Sequence, residues 1–253
     1  MPSYNKPVYY FEVTAENCNV FGAINGFPFY KLNAEHACYF ASPMNIGLVK
    51  GINKVQVTIA PVINGTPKIN VKPVCKIALK IYEYGSISGP ENGEKLQEVD
   101  VNSFGEFAYE FTNNSKIDFS SFFEGISKIE DTAKLKEYVS QLVKEVRKGD
   151  FYYFKKEFDY KLEQYAIAYY NDPAEYRDNA MIFFRDNIIG HLPDDYIPVD
   201  EMVTYTPFND KKIWYVALTN GEDLFYSKPD EEESVNFVPV YIACHKGQYK
   251  IIR

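Results

Sequence analysis

The chain offers three histidines, four cysteines and a scatter of carboxylates for chemistry, and their spacing suits little of it. His36, His191 and His245 stand far apart, none beside a second ligand at helical or strand spacing. A metal centre would need distant carboxylates to converge on one of them, so no metal site is expected. Cys18, Cys38, Cys75 and Cys244 form no Cys-x-x-Cys pair, which removes the usual zinc and dithiol motifs. Cys75 and Cys244 lie among apolar neighbours in strand patterns and read as buried thiols. Cys18 and Cys38 would meet as a disulfide only in an exported chain. No Gly-x-Ser-x-Gly, P-loop, His-Glu-x-x-His or dinucleotide fingerprint is present. Ser3-Tyr4-Asn5-Lys6 spells Ser-x-x-Lys, but it runs into Pro7, where no helix aligns the two side chains. No catalytic residue, cofactor or metal is assigned.

Two other groups of residues could carry function. His191, ahead of Asp194 and Asp195, places an imidazole and carboxylates on one loop, a set that fits acid–base work as well as plain loop chemistry. The helical doublets Tyr152-Tyr153, Tyr169-Tyr170 and Phe183-Phe184 turn at least one ring each away from the main apolar stripe. Those rings either pack a core or interface or line a pocket, whose candidate walls are Tyr169, Tyr170 and Trp214 with His191 or Asp195 as polar groups. The second group is acidic. Residues 186–236 carry 12 Asp/Glu against Lys211, Lys212 and Lys228. Asp223, Asp230, Glu231, Glu232 and Glu233 mark a candidate docking face for a basic protein, or a solvated surface.

Something must position these residues. The chain has 253 residues, 46% hydrophobic, enough for one large or two ordinary domains with real cores. Its net charge of −8 argues against nucleic acid as a partner. Most of that charge lies in residues 116–253, at a net −7. No apolar run reaches the roughly 18 residues of a membrane span. Met1-Pro2-Ser3-Tyr4 has neither a basic n-region nor an apolar h-region, so the sequence as written reads as cytoplasmic. Loss of a signal peptide would instead place the protein in the cell envelope or outside.

Four Asn-Gly pairs, at 25–26, 64–65, 92–93 and 220–221, are hairpin signals, because both residues tolerate positive φ. Residues 8–13 read as a strand, and Val20–Ile24 with Phe27–Tyr30 as a hairpin about Asn25-Gly26. Val55, Val57 and Ile59 alternate with Lys54, Gln56 and Thr58 as a half-buried strand stopped by Pro61. Cys75, Ile77, Leu79 and Ile81 alternate against Lys76, Ala78 and Lys80, and Phe107, Tyr109 and Phe111 form one more strand. Residues 85–95 read as a loop, with Asn92-Gly93 inside it rather than at a tight hairpin.

After Asn113-Asn114-Ser115 the period changes from 2 to about 3.6. Leu135, Tyr138, Val139, Leu142 and Val146 share one helical face that ends at Gly149. Asp150 caps a second helix with Phe151, Phe154, Phe158, Leu162 and Tyr165 inward. Asp172-Pro173-Ala174-Glu175 opens a third, ended by Gly190 and Pro193. Strands follow over Val199–Thr206, over Ile213–Thr219 paired with Glu222–Ser227 across Asn220-Gly221, and over Val235–Cys244 paired with Tyr249–Arg253 across Lys246-Gly247. Pro239 implies an edge or a bulge. The expected fold is two domains: an all-β sandwich over 1–115, then an acidic α+β domain over 116–253, helices before an antiparallel sheet.

Ile24-Asn25-Gly26 followed by Leu48-Val-Lys-Gly51-Ile-Asn53-Lys-Val55-Gln-Val57 resembles the galactose-binding-like jelly-roll domains over about residues 8–85. That resemblance implies a sandwich strand entered by a tight turn and assigns no binding residue. The second half, closing on Lys246-Gly247-Gln-Tyr-Lys-Ile-Ile252, looks like an NTF2-like domain, in which a final Gly-turn hairpin closes a curved sheet over helices. Three readings stand. The first is a non-enzymatic protein that recognises a basic partner through its acidic C-terminal face, such as an inhibitor or immunity protein. The second is a small-molecule or enzymatic pocket in the C-terminal domain. The third is an envelope protein that contacts glycans. Oligomeric state is not legible.

Overall fold

Alternating β-branched and aromatic residues divided by turns give the first half of the chain its strands. A computed structural model describes residues 4–62, 72–89, 91–189, 191–193, 196, 202–229 and 235–253. The chain divides into two compact units, Met1–Ser121 and Phe122–Arg253. The first holds β1 (Pro7–Glu16), β2 (Cys18–Ile24), β3 (Phe27–Ala34), β4 (Cys38–Pro43), β5 (Gly51–Ala60), β6 (Val74–Glu83), β7 (Glu94–Val101) and β8 (Gly105–Asn113). They form two antiparallel four-stranded sheets, ordered β4-β1-β6-β7 and β3-β2-β5-β8. The inner faces meet through aromatic edges: Phe11 of β1 lies 5.2 Å from both Phe29 and Tyr30 of β3, ring centre to ring centre. Asn25 (φ 51°) and Gly26 (φ 79°) close the β2–β3 hairpin with Ile24 opposite Phe27. Asn64-Gly65 lies outside the described residues.

The turn-and-strand motif of residues 24–57 owes its shape to buried asparagines. Asn25 Nδ2 donates to the Gly47 carbonyl (2.9 Å) and to Asn53 Oδ1 (2.8 Å). Asn53 also accepts from the Val49 amide and donates to the Val49 and Gly51 carbonyls, each at 2.8 Å. Asn45 accepts from the Tyr9 amide (2.8 Å), and Asn113 donates to the Val49 and Ile117 carbonyls. The chain from 44 to 48 is buried and lies between β4 and β5, so its backbone groups need side-chain partners.

On β6 the strict alternation fails, because Ala78 and Lys80 are buried with the inward residues. In the loop after it, Gly89 and Asn92 reach back over the outer face of that strand. Lys80 Nζ donates to the carbonyls of Gly89 (3.0 Å) and Asn92 (3.1 Å) and pairs with Glu12 at 2.9 Å. The Tyr82 hydroxyl donates to the Glu12 carboxylate and accepts from the Gly89 amide (3.3 Å). A lysine read from sequence as solvent-facing is thus half of a buried ion pair, with a carboxylate of β1 and two carbonyls of this loop at its amine.

In the second unit α1 (Ser120–Gly125) and β9 (Ile126–Ser127) lead into three long helices, α2 (Thr132–Arg147), α3 (Phe151–Ala168) and α4 (Pro173–Asn187). Their ends are chemically explicit. Asp131, Asp150 and Asp172 accept from first-turn amides. Gly149 (φ 74°) ends α2, its amide on the Val146 carbonyl and that of Asp150 on the Glu145 carbonyl. The four helices precede β10 (Val203–Phe208), β11 (Ile213–Leu218), β12 (Phe225–Tyr226), β13 (Phe237–Val238), β14 (Val240–His245) and β15 (Gln248–Ile251). The main sheet runs β10-β11-β14-β15, with β9 also on β14. Leu135, Val139 and Leu142 of α2, Phe154 and Phe158 of α3, and Trp214, Val216 and Ile242 of the sheet share one core.

The expected hairpin of 213–219 with 222–227 does not form. Both edges of β11 are taken, by β10 on one side and β14 on the other. Past the turn only the first contacts are made: the Leu218 amide donates to the Glu222 carbonyl and Asp223 bridges Ala217, at the step where Pro239 ends the pairing with β14. The chain then leaves the sheet, and β12 pairs instead with β13. Helix α4 ends at Asn187, earlier than Gly190 and Pro193 would place it, and Gly190 lies outside the described residues.

Candidate functional site

Every residue of β11 is buried, so its two faces do different work. Trp214, Val216 and Leu218 face the helical core. Ile213, Tyr215 and Ala217 point the other way, because strand residues alternate. Tyr215 is the register partner of Tyr241 on β14, and the rings stack at 4.7 Å and 25°. On its other side Tyr241 exchanges backbone hydrogen bonds with the last two residues: its amide donates to the Arg253 carbonyl and its carbonyl accepts from the Ile252 amide. The Arg253 guanidinium sits 5.4 Å from the centre of the Tyr241 ring.

Asp223 joins this row through a tight turn. The Leu218 carbonyl accepts from the Gly221 amide and the Leu218 amide donates to the Glu222 carbonyl, with Gly221 at φ 90°. Asp223 then accepts a 2.7 Å hydrogen bond from the Tyr215 hydroxyl. Burial and the neighbouring carboxylate push the Tyr215 pKa far up, so this phenol is a fixed donor.

Helix α3 adds Lys161 and Tyr165, three and seven residues after the core residue Phe158. The Lys161 amine lies 5.3 Å from the Phe158 ring centre and 5.9 Å from that of Tyr165. Lys161 is half-buried. Its pKa falls to about 7, chiefly through desolvation and then through Arg253, with Asp223 opposing the fall. Burial raises Tyr165 and Tyr241, Tyr241 to about 12, while Arg253 pulls both down. The cluster combines two cationic groups, one carboxylate and three phenols. It can accept a negative charge beside Lys161 and Arg253 and orient its oxygens with phenolic donors.

The residues singled out from sequence take varied places. Trp214 is buried in the helical core, its indole N–H on the Lys211 carbonyl at 3.0 Å. Tyr169 caps α3 and lies 5.9 Å from Tyr165, which brings it next to the cluster, and Tyr170 follows at φ 59°. His191 is exposed after α4, and its carbonyl accepts from the Lys228 amide. Asp223 is half-buried on Tyr215. Asp195, Asp230, Glu231, Glu232 and Glu233 lie outside the described residues. Among the described residues no group of three metal-ligating side chains gathers, and no helix is long and apolar enough to cross a membrane.

Sequence reading missed Lys161, Tyr165, Tyr215, Tyr241 and Arg253 as a set. Two signals were available. Ile213–Leu218 is apolar without interruption, which marks a strand buried on both faces. Lys161 falls between Phe158 and Leu162 on the inward side of its helix. Neither a family model, nor a curated protein, nor a solved structure matches the chain.

Proposed function

We propose that the chain is a binding protein whose C-terminal unit takes a small anion, of the carboxylate or phosphate class, at Lys161 and Arg253. The observation that carries this reading is a lysine amine packed against the Phe158 and Tyr165 rings, within electrostatic reach of one arginine and one carboxylate. Such a lysine costs stability and returns little packing, and perturbed groups of that kind cluster at functional sites. An anion would offset the repulsion between the two cations and re-protonate Lys161. The hydrogen-bonded Tyr215–Asp223 pair would keep the sheet side of the site fixed. On this reading the N-terminal unit is a jelly-roll-type scaffold and the C-terminal unit an NTF2-like module. The Lys246-Gly247 turn that joins β14 to β15 supports the latter.

Thermal unfolding with a panel of small carboxylates and phosphates tests the proposal. A ligand at a hundredfold excess over its Kd adds about 2.7 kcal/mol. At least one anion should raise the Tm at pH 6–7, less so at pH 9, and not in Lys161→Met. Equal shifts in the variant, or none from any anion, would count against it.

A second reading rests on charge. Residues 186–236 carry a net −9, which suits a basic protein partner approached over long range. Its test is capture of a cationic protein with a steep loss between low and high salt. Binding that ignores salt contradicts it.

A further inference from the structure

Three of the four cysteines gather at one end of the N-terminal unit, though they are distant in sequence. Ala15, near the end of β1, is the register partner of Cys38 on β4 and of Cys75 on β6. Opposed residues share a face, and Ala15 is buried, so both thiols belong to one inward row. Cys18 opens β2 in the other sheet and is fully buried. Its sulfur lies 4.0 Å from the carbonyl oxygen of Val74, the residue before Cys75, which brings the Cys18 and Cys75 thiols within reach of each other. The Tyr30 hydroxyl is buried without a hydrogen-bond partner, within electrostatic reach of all three sulfurs. All four cysteines are free. The thiol that meets Cys18 is therefore Cys75, and Cys38, half-buried, instead bonds the Ala15 carbonyl at 3.7 Å.

We propose that Cys18 and Cys75 form a dithiol that closes to an inter-sheet disulfide when a peroxide reaches this end of the unit. The neighbouring Cys75 thiol, acting as a donor, favours the thiolate of Cys18, so Cys18 ionises first. Its thiolate attacks one peroxide oxygen, the O–O bond breaks, and hydroxide leaves to be protonated to water, which places a sulfenic acid on Cys18. Cys75, as thiolate, then attacks the Cys18 sulfur. The S–S bond forms, the S–O bond breaks and the second water departs. Two thiols lose two electrons and two protons, and hydrogen peroxide becomes two waters. Access comes from position. Cys18 is the first residue of β2 and Cys75 the second of β6, and strand ends open more readily than strand centres. The bond would close a loop of roughly 58 residues and raise the Tm of this unit by roughly 8–15 °C.

The test is peptide mapping of the full chain after mild hydrogen peroxide, with a reduced control. The expected product has lost two hydrogens, joins the peptides of Cys18 and Cys75, unfolds at higher temperature and reverts with dithiothreitol. It should survive Cys38→Ser and vanish in Cys75→Ser. The mapping on the unaltered chain does not depend on either variant folding. A link from Cys38 to Cys18 or Cys75, oxygen added to Cys18 or Cys75 without a link, or both thiols intact after Cys38 has oxidised would overturn the proposal.

Discussion

Replacing Lys161 by Met should make the C-terminal unit more stable at neutral pH, and by an amount that depends on pH. The lysine pKa falls from 10.5 to about 7 in the folded chain, mainly by desolvation. At about 1.36 kcal/mol per pKa unit, the folded state disfavours the charged amine by on the order of 5 kcal/mol. The sign follows from proton counts. Between pH 7 and 10.5 the unfolded chain holds a proton that the folded chain lacks, so the stability of the native protein rises with pH there, by at most about 1.36 kcal/mol per unit. Below pH 7 both states are protonated and the full cost is present. Methionine keeps the volume and removes the titration. Lys161→Met should therefore exceed the native chain by several kcal/mol at pH 6, and the gap should close towards pH 10. Trp214, the single Trp, is buried in this unit's core, so urea unfolding followed by its fluorescence reports on the right part of the molecule. A gap that stays constant from pH 6 to 9.5, or a variant less stable at pH 7, refutes the account of this lysine.

Glu12→Gln should cost about 3–5 kcal/mol, because it strands the buried Lys80 charge, whereas the double variant Glu12→Met with Lys80→Met should recover most of that loss; thermal unfolding followed by the β-sheet circular dichroism signal measures both. Asn53→Ala should cost about 1–3 kcal/mol by the same assay, since the Val49 amide and the Gly51 carbonyl lose this partner while the Val49 carbonyl keeps Asn113. Gly93→Ala should cost about 1–3 kcal/mol, because residue 93 has φ 81° and its new Cβ would fall 2.6 Å from the Tyr82 ring. It should also loosen the 84–93 segment, seen as faster amide exchange at Gly89.

Local signals read well from the sequence because they are local physics. Asn25-Gly26 and Lys246-Gly247 need positive φ and nothing more, and both close hairpins. Asp150 and Asp172 cap their helices through amides within three residues. What the sequence hid depends on neighbours far along the chain. Strand β4 has no clean alternation, and its pairing with β1 decides it. The glutamate that meets Lys80 lies 68 positions earlier, on β1, so Lys80 read as a surface residue. Glu222–Ser227 has a strand pattern, but the edge it would use was already taken by β14. The candidate site is the extreme case. Lys161 comes from a helix, Tyr215 and Tyr241 from two strands, Asp223 from a turn and Arg253 from the last position, and only the fold makes them neighbours.

The most direct measurement is the Lys161 side-chain pKa itself, followed by the NMR shift of its Cε across pH 5–11, alone and with the anion that stabilises the protein most. The account predicts a midpoint near 7 for the free protein and a higher one with the anion bound. A midpoint above 10 in the free protein, or one the anion leaves unmoved, contradicts it.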